Sequence, residues 1–247
     1  MRKFIRIKIA KIFPGLYPFL RGFEVILSAL IGRVHEQEFF LLKNQVPVNS
    51  LVIDIGANLG QSVTSLSRVC CPSIIIAFEC NPNCQNLLPA VGRINRFLRG
   101  INFKFINKAL GDFSHNFNFK VPVVNGVNYL QEGFLEGTVV NNEAICRRLK
   151  CNISDLKFSS YKVDVDVLDK YKFNPVLIKI DVQGAELSVL KGAKETIAQY
   201  SPILFIELPD DPLERDSLVS YIDMDLNYHI EQIGTNCICK AKKPQDL

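Results

Sequence analysis

The stretch LVIDIGANLGQS, residues 51–62, decides the fold. An apolar run over 50–55 breaks into a turn, Gly56-Ala57-Asn58-Leu59-Gly60, and a helical periodicity then runs over 61–69. A strand that is apolar throughout needs cover on both faces, which a strand–turn–helix unit supplies. The unit recurs. Apolar runs at 73–78, 102–110, 176–180 and 202–207 alternate with helical patterns at about 84–97, 185–197 and 213–224. Two last runs, 228–233 and 236–240, read as an antiparallel pair. This alternation predicts an α/β fold with a mostly parallel sheet between helical layers. Residues 113–160 interrupt the rhythm with weakly periodic, Asn- and Gly-rich sequence, an insertion expected to be functional or mobile.

The 247 residues suit one such domain, placed at 46–247 behind a basic helical extension at 1–45. Hydrophobic residues make up 48% and charged residues 22%, which excludes disorder, and no apolar run reaches the roughly 18 residues of a membrane span. Of 29 Lys and Arg and 25 Asp and Glu, residues 1–34 hold seven basic against one acid, leaving 22 against 24. A near-neutral body without a basic stripe argues against a nucleic-acid partner. The extension reads either as a cap on the domain or as an interfacial segment that sets Phe4, Ile5, Ile9, Ile12 and Phe13 into an anionic membrane surface. Eight cysteines without a CxxC pair or a signal-peptide pattern read as free thiols of a cytoplasmic protein, membrane-peripheral if the extension docks. Zinc ligation is not expected.

The chemistry gathers at strand ends. Asp54 precedes a Gly56-x-x-x-Gly60 turn, whose glycines let a ligand approach the backbone. A dinucleotide pyrophosphate, which favours G-x-G-x-x-G, would meet Asp54 unfavourably. A cationic sulfonium such as S-adenosyl-L-methionine would not; another nucleotide or an ordinary turn stay open. Glu79 lies 19 positions beyond Gly60, placed to accept from ribose hydroxyls, or to start a helix with Pro82. Asp112 in ALGD is placed toward an adenine, or in a plain turn. Lys179, costly to bury alone, calls for Asp181 or Glu207 as partner. His35 and His229 read as surface or packing residues, and His115 as a weaker candidate for facing substrate.

Together DIGANLGQS (54–62), FECNPN (78–83), ALGD (109–112), VDVLD (165–169), LIKIDVQGAELSVLKGA (177–193) and PILFIEL (202–208) resemble the FkbM family of S-adenosylmethionine-dependent methyltransferases. The resemblance implies a class I methyltransferase fold, a seven-stranded sheet with an antiparallel C-terminal hairpin, and O-methylation of a sugar, glycan or natural product. It sets Asp54, Gly56, Asn58 and Gly60 on the methionine side, Glu79 on the ribose and Asp112 on the adenine. Cys80 departs from the family's proline and Gln183 from its glutamate. These departures support the alternative of an inactive, methyltransferase-like binding module that docks on a partner enzyme or membrane.

For an enzyme, transfer to an alcohol calls for collinear alignment and a base. Asp181 is the expected base, oriented by Lys179, with Glu207 second. The insertion, through Tyr129, Glu132, Gly133 and Phe134, is expected to shape the acceptor pocket. A divalent metal on Asp181, Glu207 and Asp112 is a further alternative, not the expectation.

Overall fold

A computed structural model describes residues 17–138 and 141–242. The sequence positions Phe4 to Phe13 singled out for membrane contact lie outside the described residues. Among the described residues twelve strands form: β1 (Leu51–Ile55), β2 (Ile74–Phe78), β3 (Asn102–Ile106), β4 (Ala109–Leu110), β5 (His115–Val124), β6 (Val127–Asn128), β7 (Phe134–Leu135), β8 (Lys157–Asp166), β9 (Leu177–Ile180), β10 (Ile203–Glu207), β11 (Tyr228–Ile233) and β12 (Asn236–Ala241). The helices are α1 (Tyr17–Ile31), α2 (Gln61–Val69), α3 (Leu87–Arg99), α4 (Asn142–Leu149), α5 (Glu186–Lys191), α6 (Lys194–Tyr200) and α7 (Pro212–Ser220).

The central sheet has the order β11-β12-β10-β9-β1-β2-β3, parallel from β10 to β3, with an antiparallel hairpin at the end. Its strands are apolar on both faces because both are covered. Ile53, Ile55, Phe78, Ile178 and Ile206 pack on α5, α6 and α7 through Val189, Leu190, Ile197 and Leu218. Val52, Ile75, Leu177 and Phe205 pack on Val63 and Leu66 of α2, and on Phe39 and Leu42 of a 3-10 turn. Burial of each such side chain is worth roughly 1.5–3 kcal/mol. All eight cysteines are free thiols, so this packing holds the sheet without disulfides.

Three expectations need correction. The run 102–110 is two strands: the Lys108 amide turns tightly onto the Ile106 carbonyl (3.0 Å), and Ala109–Leu110 leaves the central sheet. It joins a second sheet of order β4-β8-β5-β6, with β7 also on β5, so the insertion is no weakly structured loop. Its ten-residue strands β5 and β8 pair antiparallel along most of their length. Asn116 and Asn118, which read as loop formers, occupy the exposed side of β5, while Phe119 and Val121 are buried.

The helical pattern 185–197 is likewise two helices, split at Gly192-Ala193. A Cβ on Gly192 would sit 1.9 Å from the Gly111 carbonyl oxygen, where the chain leaves β4. The helical layer over the central sheet and the end of β4 therefore cross backbone to backbone. Gly192→Ala is expected to lower unfolding free energy by about 1–3 kcal/mol in urea titration. Unchanged stability would show that the crossing carries no such constraint.

Candidate active site

Lys179 and Asp54 are register partners on adjacent strands β9 and β1 and share one face of the sheet. The Lys179 ammonium lies 3.3 Å from Asp54 Oδ1 and 3.2 Å from Asp181 Oδ2, and donates to the Gly56 carbonyl at 3.2 Å. Burial alone would strip its proton, but Asp181 and Asp54 outweigh burial and hold its pKa above the usual lysine value. Asp54 is fully buried and its other oxygen accepts from Ser62 Oγ at 2.6 Å. It is a foundation beneath the site and does not line it. The expected partner of Lys179 is thus Asp181 together with Asp54, not Glu207.

Asp181 forms the floor of the cleft, with 37% of its side chain open. Burial by the surrounding walls would raise its pKa, yet the Lys179 charge and bonds from Glu207, Gln183 and Lys179 draw it below the usual carboxylate range. Glu207, at the end of β10, moves the opposite way, raised by burial and by the Asp181 charge. The pair shares one proton, held on Glu207. Gln183 Nε2 bridges them, donating to Asp181 at 3.0 Å and to Glu207 at 2.7 Å. A neutral amide at this position thus satisfies both acids without adding a third carboxylate.

Beside Asp181 the backbone does the shaping. Gly56 has φ +77°, and a Cβ there would lie 1.8 Å from the Asp181 carbonyl oxygen. Asn58 (φ +49°) and Gln183 (φ +59°) also adopt the left-handed region, a strain that clusters at functional sites. Glu79 is 7% exposed; Oε2 accepts from the Asn58 amide and Oε1 from the Asn81 amide, both at 2.7 Å. Each carboxylate oxygen has a second lone pair for a ligand hydroxyl. Gly60 (φ +92°) lies against Val91 and Leu88 of α3, outside the cleft lining.

These groups surround a cleft of about 550 Å³, within the size range of small-molecule sites. Gly56, Asn58, Glu79, Lys179, Asp181 and Glu207 all line it. Asp112 does not. The departure of β4 to the second sheet carries it away, and it is exposed with Oδ1 accepting from Ser188 Oγ at 2.9 Å. The three-acid metal set Asp181, Glu207 and Asp112 is therefore not assembled, and among the described residues no cluster of His, Cys, Asp or Glu has a metal-holding arrangement. His115 stacks on Phe113 (4.2 Å between centroids), off the cleft.

The insertion delivers Glu132 and Gly133 to the lining, with Glu132 held by Arg148 of α4 at 2.7 Å. Tyr129 and Phe134 instead form a small core behind that wall with Tyr17. Sequence reading missed the α1 contribution, Arg21, Glu24 and Ser28, and also Glu36 and Asn236. His35, expected at the surface or in packing, lines the cleft, its pKa lowered by burial and by the Arg21 and Lys179 charges. Those residues lie outside any strand-end motif, so only the tertiary fold identifies them.

Residues 54–233 match the Methyltransferase FkbM domain family. The chain is 30% identical over 168 residues to methyltransferase sdnD of Sordaria araneosa, a match that covers 61% of this chain and 62% of that one. Its fold is similar to the crystal structure of methyltransferase FkbM from Methylobacillus flagellatus, with TM-score 0.53 and 14% identity, over 92% of this chain and 60% of that one. The chain thus spans about three fifths of the length of each of these two proteins.

The shared proton sets a pH dependence. Folded Glu207 keeps a proton that the unfolded chain releases above about pH 5, so stability falls as pH rises from there. Urea titrations between about pH 5 and about pH 9 are expected to show this decline, flattened in Glu207→Gln. An equally steep decline in the variant would put the proton elsewhere.

Proposed function

We propose that this chain, which belongs to the FkbM methyltransferase family, methylates a hydroxyl of a sugar, glycan or natural product with S-adenosylmethionine as methyl donor. The observation that carries the reading is the open, ionised Asp181 carboxylate on the floor of a cleft that the adjoining Gly56–Asn58 turn and Glu79 also line. Bound S-adenosylmethionine supplies an electrophilic methyl group on a cationic sulfur. The residues present fit that molecule. The close approach at Gly56 leaves the turn without a side chain, the free lone pairs of Glu79 suit the ribose hydroxyls, and Phe78, Ala109 and Leu110 offer an apolar wall for the adenine in place of Asp112. The acidic floor suits a sulfonium cation.

Asp181 orients the acceptor O–H and takes its proton. A weakly basic carboxylate suffices, because an alcohol oxygen becomes strongly acidic once its bond to carbon begins to form. Lys179 keeps Asp181 charged and fixed, and Glu207, already protonated, donates to it and limits repulsion between the two acids. Gln183 holds both in register, which argues that the departure from glutamate preserves the site. The insertion wall at Glu132, Gly133 and Leu135 is where the acceptor is selected.

Calorimetric titration with S-adenosylhomocysteine is expected to show binding that Glu79→Ala weakens at least about tenfold. Transfer of labelled methyl from S-adenosylmethionine to a panel of glycoside and polyketide alcohols should fall about 10²–10⁴-fold in Asp181→Asn, with cofactor affinity within a few fold. Near-normal turnover in that variant removes Asp181 from the reaction.

A further inference from the structure

Helix α1 is amphipathic in an inverted sense. Its charged and hydroxyl-bearing residues between 18 and 31, Arg21, Glu24 and Ser28, all line the cleft, and Arg21 pairs with Glu24 at 3.1 Å. A second side, Val25, Ile26 and Ala29, packs on α3. What remains faces outward, and it is apolar: Phe19 is 76% exposed, Phe23 67% and Ile31 65%, with Leu27 and Leu30 between them. On a 3.6-residue helix these positions form one continuous stripe along its length. α3 runs alongside, with Gly22 near Leu87 at one end and Gly32 near Arg99 at the other. It adds exposed Phe97 and Leu98 beside Arg93 and Arg96.

We propose that this face docks on the headgroup surface of an anionic lipid bilayer. A patch of this extent on a soluble surface marks an interaction site. Charge decides which. Residues 1–16, which lead directly into α1, carry Arg2, Lys3, Arg6, Lys8 and Lys11 and no acid, while the body of the chain is near neutral. Basic residues beside Phe, Leu and Ile are the pattern of an interfacial helix on anionic lipid. A second copy of the chain on the same patch would bring two basic segments together, which like-charge repulsion opposes. At fifteen residues α1 is about 22 Å long, and no helix among the described residues is long and apolar enough to span a membrane. The helix lies on the surface. Because the adjoining side of the same helix is the cleft wall, docking sets the cleft next to the bilayer. The inference does not depend on the reaction catalysed.

The test is flotation of the full-length chain with phosphatidylcholine vesicles with or without about 30 mol% phosphatidylserine. The expected result is co-flotation with the anionic vesicles only, weakened by salt. The double variant Phe19→Glu, Phe23→Glu should lower the bound fraction by at least about tenfold, with unchanged thermal unfolding and S-adenosylhomocysteine affinity. If that variant does not fold, Leu30→Glu with Ile31→Glu tests the same stripe. Absence of wild-type flotation on anionic vesicles, or equal flotation of a folded variant, overturns the proposal. So does a concentration-dependent dimer that the variants dissolve, which would assign the face to a second copy. S-adenosylhomocysteine binding, measured separately, tells failure of docking apart from failure of the methyltransferase reading.

Discussion

One buried ammonium organises the site. Removing a charge from water costs several kcal/mol unless partners replace the lost hydration. Lys179 meets that cost with two carboxylates and a carbonyl, each from a different part of the edge where β1 and β9 end. Three consequences follow from the same atom. The Asp54–Lys179 pairing ties the register of β1 to β9; the bond to Gly56 fixes the carbonyl of the glycine turn; and the field on Asp181 keeps it ionised, which displaces a proton onto Glu207. Stability, turn geometry and protonation state are here one arrangement.

That arrangement sits where the topology makes a crevice. From β1 the chain passes outward to β2 and β3, then returns to lay β9 on the other side of β1. The connections diverge there, above the carboxyl ends of the strands, which is where open α/β sheets bind ligands. The second sheet covers one flank of the crevice through Gly133 and Leu135, and α1 covers another through Arg21 and Ser28.

The parts of the site legible in sequence were those written locally. An acid or glycine at the end of an apolar run announces its position, so Asp181, Glu207, Glu79, Gly56 and Asn58, which the structure brings into the cleft lining, were readable from spacing, as were most of the central strands and the final hairpin. Residue type did not reveal which way a strand-end acid faces. Asp54 and Asp112 look like ligands in sequence; the first is turned down onto Lys179 and the second is carried off by β4. The second sheet was hidden because its polar face is built from Asn and Ser, which read as loop. The cleft residues from α1 and Asn236 carry no local signature, and their role arises from contacts across most of the chain.

The two ends of the insertion meet. β4 and β8 lie side by side and parallel, with Ala109 opposite Val165 and Leu110 opposite Asp166. One carboxylate, Asp166, gathers Lys108, Ser114, Lys170 and the Val167 amide, and Lys108 and Ser114 come from the entry side while Lys170 and Val167 come from the exit. Everything between is a cassette clipped at its base, and the central strands register with one another without it. Such a segment can be lengthened, shortened or exchanged while the central strands keep their register, so one wall of the cleft can be remade without rebuilding its floor.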